Sequence, residues 1–399
     1  MVPYIRQVQI VDYKSFDRSA VNLEPFTVFV GPNGSGKSNF IDALSFVSDC
    51  LSESIERAVN KRGGLHAVRR ARPGTGTTTG MRLVLAVAHN LWADYAFRIH
   101  GHRGEDFSVE RERCAVHEAN GEKYEFEVKK GEFVREIPGI RPKISANSLA
   151  LFAASATEEF APVYDFLTSM RFYCIVPDQL RGPLEPDSGL FLKRDGRNAA
   201  AVLRRITDKL AYEDLCLLLS KSVQGVGKVV YRPAEGKEKI VFEQDMGSER
   251  KQEFDAANMS DGTLRLLGLL LAVHQGGRHS VVAIEEPEAT VHPAIAEMLT
   301  EVLMDAANER QILVTTHSPD ILDYKELTDE QIRAVIWEEG RTLICPVSQA
   351  SRDAIRERLY TPGELLRVDE LSQDIDGART MAKQVDLFGP PVLSDTEQK

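Results

Sequence analysis

The sequence predicts an α/β fold in which a phosphate-binding loop sits in a mixed central sheet, with an antiparallel β insertion and a helical lobe attached. Three observations predict it. Phe26-Thr-Val-Phe-Val30 reads as a buried strand, Gly31 to Ser38 as a Gly-rich turn, and Asn39 to Val47 as a helix. Strand–helix–strand order returns late in the chain: Ser280–Glu285, a helix from Pro293, then Gln311–Thr315. That order calls for parallel pairing. Between these parts, residues 81–136 alternate apolar and polar side chains, with turn residues at Gly101, Asn120-Gly121 and Gly131, the pattern of an antiparallel sheet.

Five segments follow. Residues 1–80 hold short strands, the phosphate loop and its helix, then a helical stretch and a loop at Gly74 to Gly80. Residues 81–180 hold the antiparallel strands, a helical region at 146–170 and a strand Arg171–Val176. Residues 181–275 form a helical lobe, with helices near 198–210 and 212–223, a hairpin near 228–243 about Glu235-Gly236, and a helix from Ser260. Residues 276–348 complete the sheet. Residues 349–399 hold a helix and, from about 371, a polar, Pro-containing stretch that reads as a flexible tail.

Gly31-Pro-Asn-Gly-Ser-Gly-Lys37-Ser38 satisfies G-x-x-x-x-G-K-[ST] at every fixed position, between a strand and a helix as that motif requires. The glycines let backbone N–H groups curl around a phosphate, and the helix N-terminus adds its dipole. The expected cradle is Asn33, Gly34, Ser35, Gly36, Lys37, Ser38 and Asn39, with Lys37 on the β/γ-phosphates and Ser38 on Mg²⁺. A nucleoside triphosphate with Mg²⁺ is the expected ligand.

The second half supplies the other parts. Ser280-Val-Val-Ala-Ile-Glu285-Glu286-Pro-Glu288 is an apolar strand ending in carboxylates. Beside a phosphate loop, Glu285 is the candidate for Mg²⁺ and Glu286 the candidate general base for water. Asp is the usual residue where Glu285 stands. Gln311 to Thr316 is a second buried strand, ending at His317, which can hydrogen-bond a γ-phosphate or orient water at the carboxyl edge of the sheet. Met259-Ser-Asp-Gly-Thr263 precedes an apolar helix, with Ser260 as N-cap and Gly262 permitting close approach. On its own this last pattern reads as a capped core helix.

The order of these motifs resembles the ABC-type ATPases of the SMC/RecF group, and more closely the short RecF/OLD-like AAA-family ATPases without coiled coil or nuclease domain. The resemblance runs over residues 4–348. It rests on the opening Ile-x-x-Val-x-Ile-Val-Asp-Tyr-Lys-Ser-Phe16, Gly-Pro-Asn-Gly-Ser-Gly-Lys-Ser-Asn, Met-Ser-Asp-Gly-Thr, Glu-Glu-Pro-Glu, Val291-His-Pro293 and Thr-Thr-His-Ser-Pro. It implies a P-loop NTPase fold of ABC type that hydrolyses ATP. It also implies that Ser260 and Gly262 form a signature motif closing on ATP held by a second subunit, that His317 is the switch histidine, and that Ala289 to His292 form the loop crossing the dimer. Sustained heptads are absent, and after His317 the roughly 85 residues left fall short of a usual nuclease domain. Gln179 is the candidate for a glutamine loop.

Composition narrows the setting. In 399 residues there is no apolar run long enough to span a bilayer, and the N-terminus lacks a signal-peptide pattern. Five scattered cysteines without C-x-x-C point to a reducing cytoplasm and to neither disulfides nor zinc. A net charge of −11 argues against a generally basic nucleic-acid binder, yet Lys61-Arg62, Arg69-Arg70-Arg72 and Lys193-Arg194-Arg197 could touch DNA or RNA phosphates or remain solvated charge. Arg69 or Arg70 could instead reach ATP. The expected function is a dimeric, ATP-driven switch in DNA repair or anti-phage defence, gating nucleic acid or a separate effector. The alternative is the nucleotide-binding subunit of a membrane transporter, disfavoured by Ser-Asp-Gly-Thr in place of a Gly-Gly-Gln-style signature. Gln384-Val-Asp-Leu-Phe388 in the tail resembles a sliding-clamp docking peptide, with Gln384, Leu387 and Phe388 as contacts; a tail packed on its own domain is the competing reading.

Overall fold

The computed structural model describes residues 2–70, 78–102, 106–135, 144–247, 251–277 and 279–390. Its centre is a six-stranded sheet in the order Arg341–Pro346, Ile332–Glu338, Phe26–Val30, Gln311–Thr316, Val281–Glu285, Arg171–Tyr173. All neighbours pair in parallel except the edge strand Arg341–Pro346. Every residue of Phe26–Val30, Val281–Glu285 and Gln311–Thr316 is buried. Such strands are covered on both faces, so they read as continuous apolar runs.

The alternation of side chains divides the core in two. Phe29, Ala283 and Leu313 face a cluster shared with the helix Lys37–Ser52 and the antiparallel sheet. Val28, Val30, Ile284 and Val314 face a cluster shared with the helices of the second lobe. In the first cluster Phe40, on the phosphate-loop helix, stacks 4.7 Å from Phe29. That contact fixes the helix over its own strand, and the loop between them inherits the geometry.

The antiparallel sheet has seven strands, in the order Phe16–Asn22, Tyr4–Tyr13, Thr78–Ala88, Leu91–Gly101, Phe107–Glu118, Lys123–Lys129, Glu132–Arg135. The expected insertion is thus continuous with the N-terminal hairpin, because Tyr4–Tyr13 pairs with both Phe16–Asn22 and Thr78–Ala88. The boundary expected at residue 80 falls inside a strand, and Thr78, Thr79 and Gly80 belong to that strand and not to a loop. The rest of the expected loop, at 74–77, lies outside the described residues.

The hairpin around Glu235-Gly236 gains a third strand, Lys251–Asp255. Its turn places Glu235 at φ 47 and Gly236 at φ 81, the conformation that matches the twist of a two-residue hairpin. The helices Ala199–Arg205, Lys209–Ser222 and Asp261–His274 complete this lobe.

The carboxyl-terminal stretch corrects the expected flexible tail. Helices Gln349–Arg356, Pro362–Arg367 and Ile375–Lys383 follow one another, and after the last the chain stays on the body of the protein. Val385 and Leu387 are buried among Ala20, Val11 and Met381. Its apolar residues Ile375, Ala378, Val385 and Leu387 fall where the sheets offer apolar partners. The expected sliding-clamp contacts are therefore spent internally: Leu387 is 1% exposed, and Phe388 lies under the guanidinium groups of Arg98 and Arg111. The Gln384 backbone N–H closes the preceding helix.

Candidate functional site

Strand register brings the expected motifs to one edge. Thr316 pairs with Val30, and Thr315 pairs with Glu285. The phosphate loop, His317 and the 285–288 carboxylates therefore leave adjacent strands at their carboxyl ends, where α/β sheets bind ligands.

The loop is built on close approach. Gly34 and Gly36 adopt φ 77 and 109, a region that favours glycine. A Cβ on Gly36 would overlap the Thr342 side chain, whose Oγ1 donates to the Ser35 carbonyl at 2.8 Å. Thr342 lies on the antiparallel edge strand, and its Oγ1 is also within hydrogen-bond distance of Ser15 Oγ, at 2.7 Å. It was not anticipated, and no local motif marks it.

Lys37 is buried, and its Nζ donates to the Gly31 and Pro32 carbonyls at 2.7 and 3.1 Å. Burial lowers its pKa, and Glu286 and Glu288 oppose that shift. The ammonium thus caps its own loop and is available for a phosphate. Ser35 Oγ is buried without a hydrogen-bond partner, and Ser38 is exposed in the first turn of the helix. An unspent hydroxyl, a lysine folded over the loop and an open serine at a helix N-terminus fit a Mg²⁺-bound nucleoside triphosphate. Asn33 and Gly34 are exposed on the rim. Asn39 is employed otherwise, donating to Ser15 Oγ at 2.8 Å, which ties the loop helix to the N-terminal hairpin.

At the carboxylate end, Glu286 has φ 46, and its N–H donates to the Thr315 carbonyl at 2.9 Å. Its Oε1 lies 3.5 Å from His317 Nδ1, with both side chains partly exposed. Glu285 is buried, and its Oε1 accepts from Arg194 at 2.6 Å. The metal-binding expectation for Glu285 thus meets a cation already in place. Glu288, quoted in the motif but given no role, is buried. Its Oε1 accepts from the Thr316 hydroxyl at 2.5 Å, and its Oε2 has no partner. Burial raises its pKa against that hydrogen bond. Its place two residues after Glu286 was the only signal available.

The helix Asp261–His274 meets this end of the sheet. Ser260 is its N-cap, accepting from the Thr263 N–H at 3.2 Å. A Cβ on Gly262 would lie 2.5 Å from the Thr290 carbonyl oxygen. Arg265, one turn on, donates to the Glu286 carbonyl at 3.1 Å. The helix end is therefore seated on the 286–291 turn. In the segment expected to supply a glutamine loop, Gln179 is exposed, whereas Arg181 ion-pairs with Asp261 and donates to the Met259 carbonyl at 2.8 Å.

The basic clusters are largely paired within the chain. Arg62 binds Asp42 and Asp49 at 3.0 and 2.9 Å, and Lys61 binds Asp49 and Glu53. Lys193 pairs with Asp187 at 2.8 Å and Arg197 with Asp195 at 2.5 Å. Arg70 donates to the Gly340 carbonyl and pairs with Asp17, so it is not poised as a finger on ATP. Arg69 forms a β-bridge with Tyr13. Arg72 lies outside the described residues. A chain rich in carboxylates supplies counter-charges within reach of its own arginines, although Lys193 and Arg197 stay exposed while paired. Asp42 shows the strength of one such centre. Burial opposes its charge, but Arg62, Lys14 and Tyr13 together hold its pKa below the usual carboxylate value.

Strand–loop–helix, carboxylates and histidine on one sheet edge, with a capped helix presented beside them, define an ABC-type ATPase of the SMC/RecF group. The chain belongs to the family described as "AAA domain, putative AbiEii toxin, Type IV TA system", which matches residues 26–136 and 171–323. It is 34% identical over 79 residues to the DNA replication and repair protein RecF of Beutenbergia cavernae, covering 18% of this chain and 20% of that protein. It is 47% identical over 57 residues to the chromosome partition protein Smc of a Synechococcus species, covering 14% of this chain and 5% of that protein. These matches span a fifth or less of the relatives' lengths. The crystal structure of the Smc head domain with an extended coiled coil, bound to the C-terminal domain of ScpA and derived from Pyrococcus furiosus, superposes with a TM-score of 0.52 at 14% identity. It covers 90% of this chain and all of that one, and it shows the shared fold. No helix among the described residues is long and apolar enough to cross a membrane.

Proposed function

We propose that this ATPase is a dimeric switch in which ATP joins two copies of the chain, and that it serves DNA maintenance or defence against phage by gating nucleic acid or a separate effector protein. The observation that carries this reading is the seating of the Ser260–Gly262 helix end on the turn that holds Glu286. A ligand docked on that helix end from a second copy would press on the same turn that carries the base.

Lys37 and the loop N–H groups would hold the phosphates, with Ser38 and Glu285 on Mg²⁺, which would neutralise charge developing on the phosphates. Glu285 would have to exchange Arg194 for that role. Glu286 would accept the proton of the attacking water, and His317, 3.5 Å away, would orient that water or the γ-phosphate. Ser260 and the free N–H groups of its helix offer an anion site for the phosphate of the opposite copy. The relatives named for DNA replication and repair and for chromosome partition support the DNA setting, and the head bound to ScpA supports a protein partner. The cytoplasm suits all of these.

Sedimentation of the Glu286→Gln protein tests the switch. A mass that doubles with Mg²⁺–ATP is expected; a monomer with and without the nucleotide refutes it.

A further inference from the structure

Residues 385–390 lie in a groove on the outer face of the antiparallel sheet, and arginines read their backbone. Arg18 donates to the Val385 carbonyl at 2.5 Å. Arg82 donates to the Asp386 and Pro390 carbonyls, both at 2.7 Å. Arg113 donates to the Phe388 and Gly389 carbonyls at 2.9 and 2.7 Å. Gln9 accepts from the Asp386 N–H at 3.2 Å. Five carbonyls within six residues are thus satisfied by side chains from three different strands.

The central arginine of the groove is held by the sheet itself. Arg82 is 2% exposed and is oriented by Asp94, whose two oxygens accept from its Nε at 2.9 Å and its Nη2 at 2.5 Å. Arg113 is buried as well. A planar guanidinium fixed by a carboxylate on one edge keeps donors for carbonyls on the other. Specificity would come from two side chains. Leu387 fills a pocket whose floor is Gly80, where a Cβ would lie 2.7 Å from Leu387 Cδ1. Phe388 stacks 4.3 Å from the Arg111 guanidinium.

The segment is joined to the phosphate loop through a short mechanical path. The helix Ile375–Lys383 packs Ala378 and Ile375 against Leu343 and Cys345 of the edge strand, and Arg379 pairs with Glu338 of the next strand at 3.0 Å. Between Arg341 and Leu343 on that edge strand sits Thr342, which bonds the Ser35 carbonyl and fills the space over Gly36. A body clamped to the antiparallel sheet at one end thereby backs the nucleotide cradle at the other.

We propose that the Arg18/Arg82/Arg113 groove is a peptide-recognition site whose ligand is the chain's own segment 385–390, and that docking there sets the affinity of the phosphate loop for nucleotide. The coupling rests on the phosphate loop binding ATP. Linkage requires reciprocity: if release of the segment weakens nucleotide binding, nucleotide must tighten the segment by the same factor.

Two measurements on the full chain test it. Calorimetric titration with a non-hydrolysable ATP analogue and Mg²⁺ compares the wild type with Leu387→Asp, which places a charge in the apolar pocket. The variant should bind about tenfold more weakly. A synthetic peptide of residues 383–390, added in excess, should restore the affinity, and the same peptide carrying Leu387→Asp should not. Equal affinities in the two proteins overturn the coupling, and failure of the native peptide to rescue overturns the groove as a recognition site. Hydrogen exchange in the wild type covers the case of a variant that does not fold. Amides of 385–389 should exchange more slowly with the analogue than without it, and unchanged exchange overturns the proposal. A wild type that binds no nucleotide would instead refute the phosphate-loop reading, a result distinct from each of these.

Discussion

His317 Nδ1 stands 3.5 Å from Glu286 Oε1, although 30 residues separate them in the chain. They meet because Val281–Glu285 and Gln311–Thr316 pair in parallel with Glu285 opposite Thr315, so Glu286 and His317 leave the sheet within one residue of the same level. A carboxylate and a hydrogen-bonding ring side by side, near a lysine held by the adjacent loop, form the constellation expected of nucleotide hydrolysis.

Lys37→Ala and Glu286→Gln should separate binding from turnover. The first removes the phosphate counter-charge and should abolish nucleotide binding in a fluorescence titration. The second spares the cradle and removes the proposed base, so hydrolysis should fall roughly 100- to 10,000-fold with binding retained. Wild-type turnover by Glu286→Gln would exclude that residue as the base.

Substitutions at the helix end should act on assembly and not on binding. Ser260→Arg puts bulk and charge where the proposed dimer would dock a phosphate. Gly262→Ala drives a methyl into the Thr290 carbonyl, an overpacking that typically costs about 1–3 kcal/mol. Both proteins should bind ATP like the wild type and show reduced ATP-dependent mass in sedimentation. If either assembles normally, the helix end is not the docking surface.

Nucleic-acid contact should involve the cations that remain most exposed. The side chains of Lys193 and Arg197 are 51% and 61% exposed and pair only at the surface, whereas that of Arg62 is 7% exposed and locked between two aspartates. In the presence of Mg²⁺–ATP, Lys193→Ala/Arg197→Ala should lower the slope of log affinity for DNA against log salt by about 2. An unchanged slope would remove both residues from the interface.

Glu112 should impose a pH dependence on stability. It is fully buried in the antiparallel sheet, and burial pushes its pKa up to about 7, against hydrogen bonds from the Ala150 and Leu151 N–H groups and the Tyr95 hydroxyl. A carboxyl whose pKa is higher folded than unfolded favours the folded state most where it is protonated in both states, below about pH 4. Its contribution declines as pH rises to about 7 and is flat above. Urea denaturation midpoints between pH 5 and 8 should show a smaller decline in Glu112→Gln than in the wild type; parallel profiles would assign the decline to other groups.

The local parts of this protein were legible in its sequence. Gly34 and Gly36 are required by positive φ, Ser260 by the N–H groups it caps, and the three fully buried strands by their apolar runs. The strands are mainly apolar, with Thr27, Glu285, Gln311, Thr315 and Thr316 as their buried polar members, and each of these features depends on neighbours a few residues away, so spacing carries the information. What the tertiary structure decided were meetings between residues distant in the chain. Thr342 against the phosphate loop, Arg194 on Glu285, Arg181 on the start of the helix Asp261–His274 and Glu288 under Thr316 arise from strand order and register, which no short motif encodes. The same holds for the charges: Lys61, Arg62 and Arg194 read as free cations until the fold brought carboxylates to them. The tail is the clearest case. Leu387 and Phe388 form an accessible motif in one dimension, and they become a buried ligand only because Arg18, Arg82 and Arg113, some 275 to 370 residues upstream, line up on alternate strands of one sheet to receive the backbone between them.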